Sequence, residues 1–395
     1  MNAIRENRVL VSFVIITTAI CLRAPITSVG SILYCIVDDL SLSNTIAGSI
    51  TTIPLIVIAL LSPCISKISE KTGINHALLL GMITMLAGIT LRSFAGIPGL
   101  LLGTALIGAG IAFGNVLMPA IIKNFFPDRI GTMTGVFTTT MSICSGVGAG
   151  ISVPLAVELG WGWRWTFFIW AVATLIAIVT SVIQINKMPS ENASSQKAEI
   201  KKLPQKPLYK IPLAWWVAIM FGGQSCVFYM MVTWLPTIVT DRGISAMSAG
   251  IIATVFQIAA IPANFATPML AGYVKNQSRL AVTVAGMGVL GLIGILFANS
   301  MIGLAISTGI LALSLGGTFS LSLVIFGMRT SDSIQAARLS GFAQSAGYVM
   351  AAIGPTLAGA VYDFTGNWVV PIILAIAIMI LDLIAGNRAG ADRQI

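Results

Sequence analysis

The sequence predicts an all-α membrane protein with twelve transmembrane helices in two pseudosymmetric six-helix halves. Hydrophobic residues make up 56% of the 395 residues and charged residues only 9%, against roughly 25% charged in a typical soluble domain. The apolar residues form long runs, and a transmembrane helix needs about 20 of them in succession. The second half of the chain also repeats landmarks of the first half. These three observations predict the fold class.

Six apolar runs precede the longest polar segment, and charged connections mark their ends. The first run is too long for the apolar region of a cleavable signal peptide, so it is expected to remain as a span. Lys67 and Lys71 follow the second run, and Lys123 and Arg129 follow the fourth. The predicted spans of this half cover residues 9–36, 44–66, 76–94, 99–122, 131–157 and 165–185.

The polar segment that follows, INKMPSENASSQKAEIKKLPQKPLYK, predicts a flexible basic linker in the cytoplasm. Six further apolar runs come after it and predict spans over residues 212–238, 245–272, 280–298, 301–327, 339–361 and 368–386. The predicted organisation is an N-terminal half over 1–184, a linker over 185–211 and a C-terminal half over 212–395.

The distribution of basic residues predicts the orientation of the chain in the membrane. With a cytoplasmic N-terminus, 18 of the 22 Lys and Arg residues fall in connections on the inner side. Arg92, Arg164 and Arg242 fall in outer connections, and Arg23 lies within a span. Basic residues concentrate on the cytoplasmic side of membrane proteins, so both termini are predicted to lie in the cytoplasm. This distribution also explains the net charge of +9 without a nucleic-acid partner.

Several catalytic and energy-coupling motifs do not occur in the sequence. There is no Gly-Lys pair, so the phosphate-binding loop of an ATP-driven pump is absent. The single histidine, His76, cannot form an HExxH metal site, and the five cysteines lie in apolar runs without CxxC spacing. The sequence therefore predicts neither an enzyme nor a metal or cofactor site.

The internal repeat is clearest at an offset of 206 residues. That offset aligns Gly110 with Gly316, Lys123 with Arg329, Gly135 with Gly341, Gly148 with Gly354 and Gly160 with Gly366. Small residues let membrane helices approach closely, so these glycines also predict tight helix packing. Two homologous halves with a ligand site near the membrane midplane are a common plan of secondary transporters.

Three stretches of the chain resemble one known family. LRAPITSVG in the first span, TALIGAGIAFGNVLMPAIIKNFFP in the fourth and RLSGFAQSAGYVMAAIGPTLAGAVYDFTGNW in the last two resemble the cyanate permease and 2-nitroimidazole exporter family of the major facilitator superfamily. The later two stretches, with FGMRTSDSIQAA, look closer to the 2-nitroimidazole exporter branch.

This resemblance implies a secondary transporter with the major facilitator fold, which works by alternating access as a monomer in a bacterial cytoplasmic (inner) membrane. It implies export of a small planar nitrogenous solute that is anionic or weakly acidic. Two alternatives stay open at this stage. A cyanate-type permease would take up an anion, and a transporter-like membrane receptor or sensor would bind its ligand without turnover.

Arg23 is the first candidate for a substrate-binding residue. A charged side chain at the centre of a span is costly in lipid, so it normally faces a polar interior and marks function. Its planar guanidinium group suits planar acceptors and anions. Tyr229 is the repeat partner of Arg23 at the offset of 206. The other polar or aromatic candidates at mid-span depth are Asn115, Gln224, Gln257, Gln344 and Tyr348. Buried amides also hold helices together, and that interpretation stays open for the Asn and Gln residues.

Proton coupling has no obvious carboxyl group in the sequence. Asp382 is the only acidic residue inside a predicted span, and it is expected to reach the cytoplasmic interface from the last inner turn. Coupling to protons is then expected to run through protonation of the substrate itself. Uniport and exchange are the alternatives.

The connection between the second and third spans resembles the gating loop of the superfamily. SEKTGINHA keeps the acidic residue, the first basic residue and the glycine of that loop, which are Glu70, Lys71 and Gly73. It lacks the basic pair that usually follows. The resemblance implies that this loop pairs with charges near the eleventh span, which here are Arg329, Asp332 and Arg338. A solvated loop without a gating role is the alternative.

Overall fold

The computed structural model describes residues 2–42, 44–187 and 207–395, and most of these residues are helical. Thirteen α-helices lie in that part of the chain. In order, α1 to α13 cover Asn2–Leu40, Asn44–Thr72, Ile74–Phe94, Gly96–Phe125, Ile130–Val153, Gly162–Phe168, Trp170–Lys187, Pro212–Thr240, Ala246–Tyr273, Ser278–Phe297, Met301–Met328, Ser333–Thr365 and Val369–Ala389. A helix satisfies its backbone hydrogen bonds within itself, as a segment in lipid requires. The predicted all-α fold class is confirmed.

Eleven of the described helical segments are long and apolar enough to cross a membrane. One of them, Gly162–Lys187, combines α6 and α7, and another extends α5 through the π-helical turn Pro154–Glu158. The remaining long helix, α12, carries more polar side chains, among them Arg338 and Gln344. The twelve predicted spans therefore correspond to twelve helical segments, whose ends differ from the predicted ones by a few residues.

Helix α1 is not continuous over its whole length. Its backbone leaves the helical region at Ile32, where φ is −124° and ψ is 21°. Just before this point, two hydroxyl groups bond to α5. Thr27 Oγ1 donates to the carbonyl oxygen of Ser145 at 3.0 Å, and Ser28 Oγ donates to that of Gly148 at 3.2 Å. These bonds hold the irregular part of α1 against the second half of α5.

Contacts divide the chain into two compact units, and the first comprises Met1–Asp128, Ile143–Ile211 and Asp332–Gly341. In this unit α3 and α4 pack along each other through glycine. A Cβ atom on Gly103 would lie 2.4 Å from the backbone nitrogen of Arg92, so the two backbones are in direct contact. Small residues allow such close approach of membrane helices.

The second unit comprises Arg129–Ser142, Pro212–Ser331 and Phe342–Ile395. Its central helix, α11, contacts α8, α9 and α10, and most of its side chains are buried. The first half of α5 thus belongs to the second unit, while the first turns of α12 belong to the first unit. The predicted division into a half over 1–184, a linker and a half over 212–395 stays a prediction. Residues 188–206 of that linker lie outside the described residues.

The internal repeat is visible in local backbone structure. Gly160 and Gly366, which the offset of 206 aligns, have φ values of 68° and 67°, a conformation that favours glycine. The aligned pair Gly148 and Gly354 also share a role. A Cβ atom on Gly148 would lie 3.0 Å from a carbonyl oxygen of α1, and one on Gly354 would lie 2.9 Å from a carbonyl oxygen of α8. Equivalent glycines therefore make equivalent helix contacts.

Each unit also contains one hydrogen bond between an aspartate and a tryptophan. In the first unit Trp163 Nε1 donates to Oδ2 of Asp39 at 3.1 Å, and in the second Trp368 Nε1 donates to Oδ2 of Asp241 at 2.8 Å. The hydroxyl of Tyr362 donates to the same Asp241 oxygen at 3.0 Å, and this bond raises the pKa of that hydroxyl. The first and last helical segments of each predicted half are joined in this way.

Candidate functional site

Arg23 lies in the middle of the candidate span Asn7–Leu40, and its side chain is partly exposed. Its neighbours Leu22 and Ala24 are fully buried in the first unit. Helix α4 touches α1 at this level, because a Cβ atom on Gly114 would lie 2.5 Å from a methyl group of Leu22. Asn115 follows Gly114 and is buried. Arg23 and Asn115 thus each follow one of the two residues at which α1 and α4 meet.

A second arginine, Arg92, holds the backbone of α1 beside Arg23. Its NH1 donates to the carbonyl oxygen of Pro25 at 2.8 Å, and its Cζ lies 4.2 Å from the ring centre of Phe167. The residue is 1% exposed, and its Nε and NH2 have no hydrogen-bond partner among the described residues. The prediction that Arg92 lies in an outer connection was wrong, because its side chain turns into the helix bundle. The side chain of Arg92 is buried because of the face of α3 on which it lies, although the residue is near the end of an apolar run.

Three of the predicted substrate residues lie near one helix crossing in the second unit. Helices α8 and α12 meet at glycines, because a Cβ atom on Gly222 would lie 2.9 Å from the Cα atom of Gly347. Gln224 is buried two residues further along α8, and Gln344 and Tyr348 are buried on α12 on either side of Gly347. The structure therefore brings these three side chains to one region of the unit.

Tyr348 belongs to a cluster of aromatic rings at this crossing. Its ring centre lies 5.5 Å from that of Phe221 in an edge-to-face contact. Phe221 also lies 6.0 Å from Phe319 and 5.9 Å from Phe326, measured between ring centres. Such contacts fix the orientation of aromatic rings. The ring of Tyr348 is thus held in place by packing.

Tyr229 and Gln257 have different surroundings. Tyr229 is partly exposed on α8, and its ring centre lies 5.3 Å from that of Phe228. Gln257 is exposed on α9. Their assignment to the substrate site stays a prediction.

Asp382 lies in the interior of the second unit. It is 0% exposed, and neither carboxylate oxygen has a hydrogen-bond partner among the described residues. A Cβ atom on Gly223 of α8 would lie 3.1 Å from Oδ1 of Asp382. The expectation that this carboxyl group reaches the cytoplasmic interface was wrong, because α13 continues to Ala389, about two turns beyond it.

Glu70 and Arg338 form a bidentate ion pair in the first unit. Arg338 Nε lies 2.5 Å from Oε1 of Glu70, and its NH2 lies 2.9 Å from Oε2. This hydrogen bonding raises the pKa of the Arg338 guanidinium above its ordinary value. Among the three charges near the eleventh span, Arg338 is therefore the one bonded to Glu70. Lys71 is exposed beside it, and Gly73 has a φ of 89° at the end of α2.

Two further charges extend this ion pair. Asp332 is close enough for its charge to act on both Arg338 and Lys123. Lys123 was not among the predicted gating residues. Its position at the end of the fourth span, aligned with Arg329 by the repeat, was the signal that could have identified it.

Arg329 has other partners, in the second unit. It is 2% exposed, donates to the carbonyl oxygen of Gly390 at 2.7 Å and lies 3.3 Å from the carboxylate of Asp392. It also bonds to the side chain of Gln277. Burial lowers the pKa of this guanidinium. The gating role of Arg329 stays a prediction. The contacts described here join it to Gly390 and Asp392 in the second unit.

Helices α5 and α9 make a neutral contact in the second unit. Thr138 Oγ1 donates to the carbonyl oxygen of Asn264 at 2.7 Å, and Nδ2 of Asn264 donates to Oγ of Ser142 at 2.7 Å. Glycine permits this approach, because a Cβ atom on Gly135 would lie 3.1 Å from the carbonyl oxygen of Phe265. In the first unit Gly341, the repeat partner of Gly135, likewise allows α12 to approach α2. The sequence predicted tight packing at these glycines, but it did not single out Asn264.

Comparison with known proteins identifies the family. The profile of the Major Facilitator Superfamily matches residues 15–355 of the chain. The chain belongs to the major facilitator superfamily. It is a multi-pass membrane transporter, and the predicted family is confirmed.

Three relatives are similar to this transporter over nearly its whole length. It is 38% identical to an uncharacterized transporter of Bacillus subtilis (strain 168) over 99% of this chain and 96% of the relative. It is 34% identical to the 2-nitroimidazole transporter of Escherichia coli (strain K12) over 99% and 98%. Identity to the cyanate transport protein of the same organism is 23% over 94% and 95%. The predicted closeness to the 2-nitroimidazole branch is confirmed.

Solved structures show the same fold as this transporter. A proton:xylose symporter of the superfamily matches 97% of this chain and 95% of its own, with a TM-score of 0.76 at 12% identity. A second transporter of the superfamily, crystallised in the outward conformation, has a TM-score of 0.74 at 12% identity and covers 98% and 99%. The major facilitator fold is thereby confirmed.

Breaking the Glu70–Arg338 pair of this transporter is expected to slow transport. Glu70→Ala and Arg338→Ala each leave one partly buried charge without its bidentate partner. The double exchange Glu70→Arg with Arg338→Glu is expected to recover only part of the rate, because it restores the ion pair but brings the exchanged carboxylate close to that of Asp332. Initial rates of solute exchange in proteoliposomes measure this, with the exposed Lys67→Ala as the control. A double exchange slower than both single variants would contradict it.

Proposed function

We propose that this transporter exports a small planar nitrogenous solute that is anionic or weakly acidic, of the 2-nitroimidazole or cyanate kind. The observation that carries this proposal is the guanidinium of Arg23 in the middle of α1. A cation at that depth suits a ligand that can bear negative charge. The 34% identity to a protein named 2-nitroimidazole transporter supports the same substrate class.

The proposed roles of the site residues follow from their chemistry. Arg23 holds the negative charge of the solute through paired N–H donors, and Arg92 positions it by fixing the adjacent backbone at Pro25. Gln224 and Gln344 orient the solute by hydrogen bonds. Tyr348, whose ring is fixed by packing, offers an aromatic surface to a planar ring.

Alternating access requires contacts that break and re-form during the cycle. We propose the Glu70–Arg338 pair and the Asn264 bonds to Thr138 and Ser142 for this role. If each predicted six-helix half moves as a body, the helices joined by these contacts belong to different halves. We further propose that the protein works as a monomer in a bacterial cytoplasmic membrane, with both termini in the cytoplasm.

Counterflow of radiolabelled 2-nitroimidazole tests the proposal. Proteoliposomes preloaded with unlabelled compound are expected to take up label transiently and saturably, faster than protein-free liposomes. Cyanate is expected to compete if the site selects planar anions. Saturable binding without counterflow would instead indicate a receptor or sensor. Neither binding nor counterflow of either compound would overturn the proposed substrate class.

Uptake of cyanate is the second candidate function. The similarity to the cyanate transport protein, over 94% of this chain, favours it. The direction of net flux separates the two candidates. Cells that produce the protein accumulate labelled cyanate if it is an uptake permease, and they lose preloaded 2-nitroimidazole faster than control cells if it is an exporter.

A further inference from the structure

The carboxyl group of Asp382 has no role in the transport site proposed above. It is fully buried among α8, α10 and α13 in the second unit, and both of its oxygens are without hydrogen-bond partners among the described residues. Buried polar groups are nearly always bonded, so such a group calls for an explanation. A substitution by a neutral residue would remove this cost, yet the chain carries an acid here.

The surroundings favour the neutral form of this acid. An isolated ionised carboxylate is far more costly in an apolar interior than the protonated group. The titratable or charged side chains on the two helices packed against α13 are Cys226 and Tyr229 of α8 and Arg279 of α10, and α13 itself adds Arg388. No ion pair joins Asp382 to any of them among the described residues. The burial of Asp382 therefore favours its protonated form.

Asp382 contacts α8 next to Gln224, which is a candidate substrate residue. Its Oδ1 lies against Gly223, where a Cβ atom would be 3.1 Å away, and Gln224 is the next residue of the chain. Loss of the proton would leave an anion that needs a donor, and the nearby donors include this segment of α8. A change in protonation therefore changes the charge beside the helix that carries Gln224.

Hydroxyl groups near this site have spare hydrogen-bonding capacity. Ser314 and Thr318 of α11 are buried, and their hydroxyl oxygens have no partners among the described residues. Ser314 lies beside Met379, one turn before Asp382, because both side chains approach the Cβ position of Gly288 within 2.6 Å. Polar groups of this kind are bridged by water in protein interiors.

We propose that Asp382 is the proton-binding site that couples this transporter to a proton gradient. The carboxylate gains one O–H bond on one side of the membrane and loses it on the other, and no other bond changes. This proposal rests on the proposed transport function. It replaces the expectation that coupling runs only through protonation of the substrate.

Transport driven by an imposed pH gradient tests the proposal with Asp382→Asn, which keeps the shape of the neutral acid. The probe is radiolabelled 2-nitroimidazole in proteoliposomes. The variant is expected to retain counterflow and to lose the accumulation that the pH gradient drives in the wild type. Asp363→Asn, which changes an exposed carboxyl group of α12, is expected to keep both. Gradient-driven accumulation by Asp382→Asn at the wild-type level would overturn the proposal, as would wild-type counterflow that ignores the pH gradient.

Infrared spectroscopy of the purified protein gives a readout that needs no substrate. A carbonyl stretch of a protonated carboxylic acid is expected in the wild type, to change with pH while the protein stays folded, and to be missing in Asp382→Asn. Asp382→Glu is expected to shift this band, and it serves if the Asn variant does not fold. A band that does not respond to pH would overturn the proposal. Absence of counterflow in the wild type counts against the proposed function alone, and the infrared result then decides on Asp382.

Discussion

Replacing Arg23 by alanine is expected to weaken binding of an anionic azole and to slow its transport while the protein remains folded. Hydrogen bonds to charged groups contribute about 1.5–3 kcal/mol each, which corresponds to a loss of affinity of about 10- to 100-fold. The Arg23 side chain is partly exposed, so its truncation leaves no large cavity in the first unit. Binding of 2-nitroimidazole, followed by thermal shift and by counterflow, measures the effect.

Two companion variants make this result specific. Arg23→Lys keeps the charge but not the planar fork of donors, so it is expected to fall between the wild type and Arg23→Ala. Arg279→Ala removes an exposed arginine from α10 and is expected to leave affinity unchanged. If the azole stabilises Arg23→Ala as much as the wild type, Arg23 does not belong to the substrate site.

Gly341→Val is expected to stop the transport cycle, because the substitution prevents α12 from approaching α2. A Cβ atom at this position would lie 2.6 Å from the carbonyl oxygen of Ser62, closer than any relaxed contact. The helix has to move away, and the Glu70–Arg338 pair, one turn nearer the start of α12, has to stretch. Overpacking of this kind costs typically about 1–3 kcal/mol. Counterflow is expected to fall to the level of protein-free liposomes, while binding of the azole persists.

Two other glycines calibrate the Gly341 result. Gly150→Val places the same side chain where nothing lies within 4 Å, and it is expected to transport normally. Gly135→Val, at the repeat partner of Gly341, is expected to be milder, since its Cβ atom would lie 3.1 Å from the nearest oxygen. Normal transport by Gly341→Val would show that the approach of α12 to α2 is not required.

The helices were predictable from the sequence because lipid leaves few choices to the backbone. A long apolar run has to satisfy its backbone hydrogen bonds internally, so run length alone fixes a helix and its approximate ends. Depth and direction of single side chains were less predictable. Arg92 and Asp382 both lie near the ends of apolar runs, where charged side chains usually reach water. Both turn inward instead, and only the packing of neighbouring helices shows this.

The partner of Glu70 is a second case in which the sequence did not determine a side-chain contact. Arg329, Asp332 and Arg338 lie within ten residues of each other, and the sequence could not tell which one meets Glu70. The structure separates them, because α12 begins between them and turns Arg338 toward α2. Asn264 was missed because an amide near two prolines has no charge to signal its role. Its partners Thr138 and Ser142 lie more than 100 positions away in the chain.

The two hydrogen bonds between aspartate and tryptophan can form only late in the synthesis of each predicted half. Asp39 and Trp163 are 124 residues apart, and Asp241 and Trp368 are 127 residues apart. At about 5–20 residues per second, a ribosome needs about 6–25 s to make the second partner after the first. The first helix of each predicted half is therefore in the bilayer before its last helix is made, and the bond forms only after that. The Asp39–Trp163 bond is able to form while the ribosome is still translating the second predicted half. We therefore expect an intermediate on the ribosome in which this bond is formed and the Asp241–Trp368 bond is not.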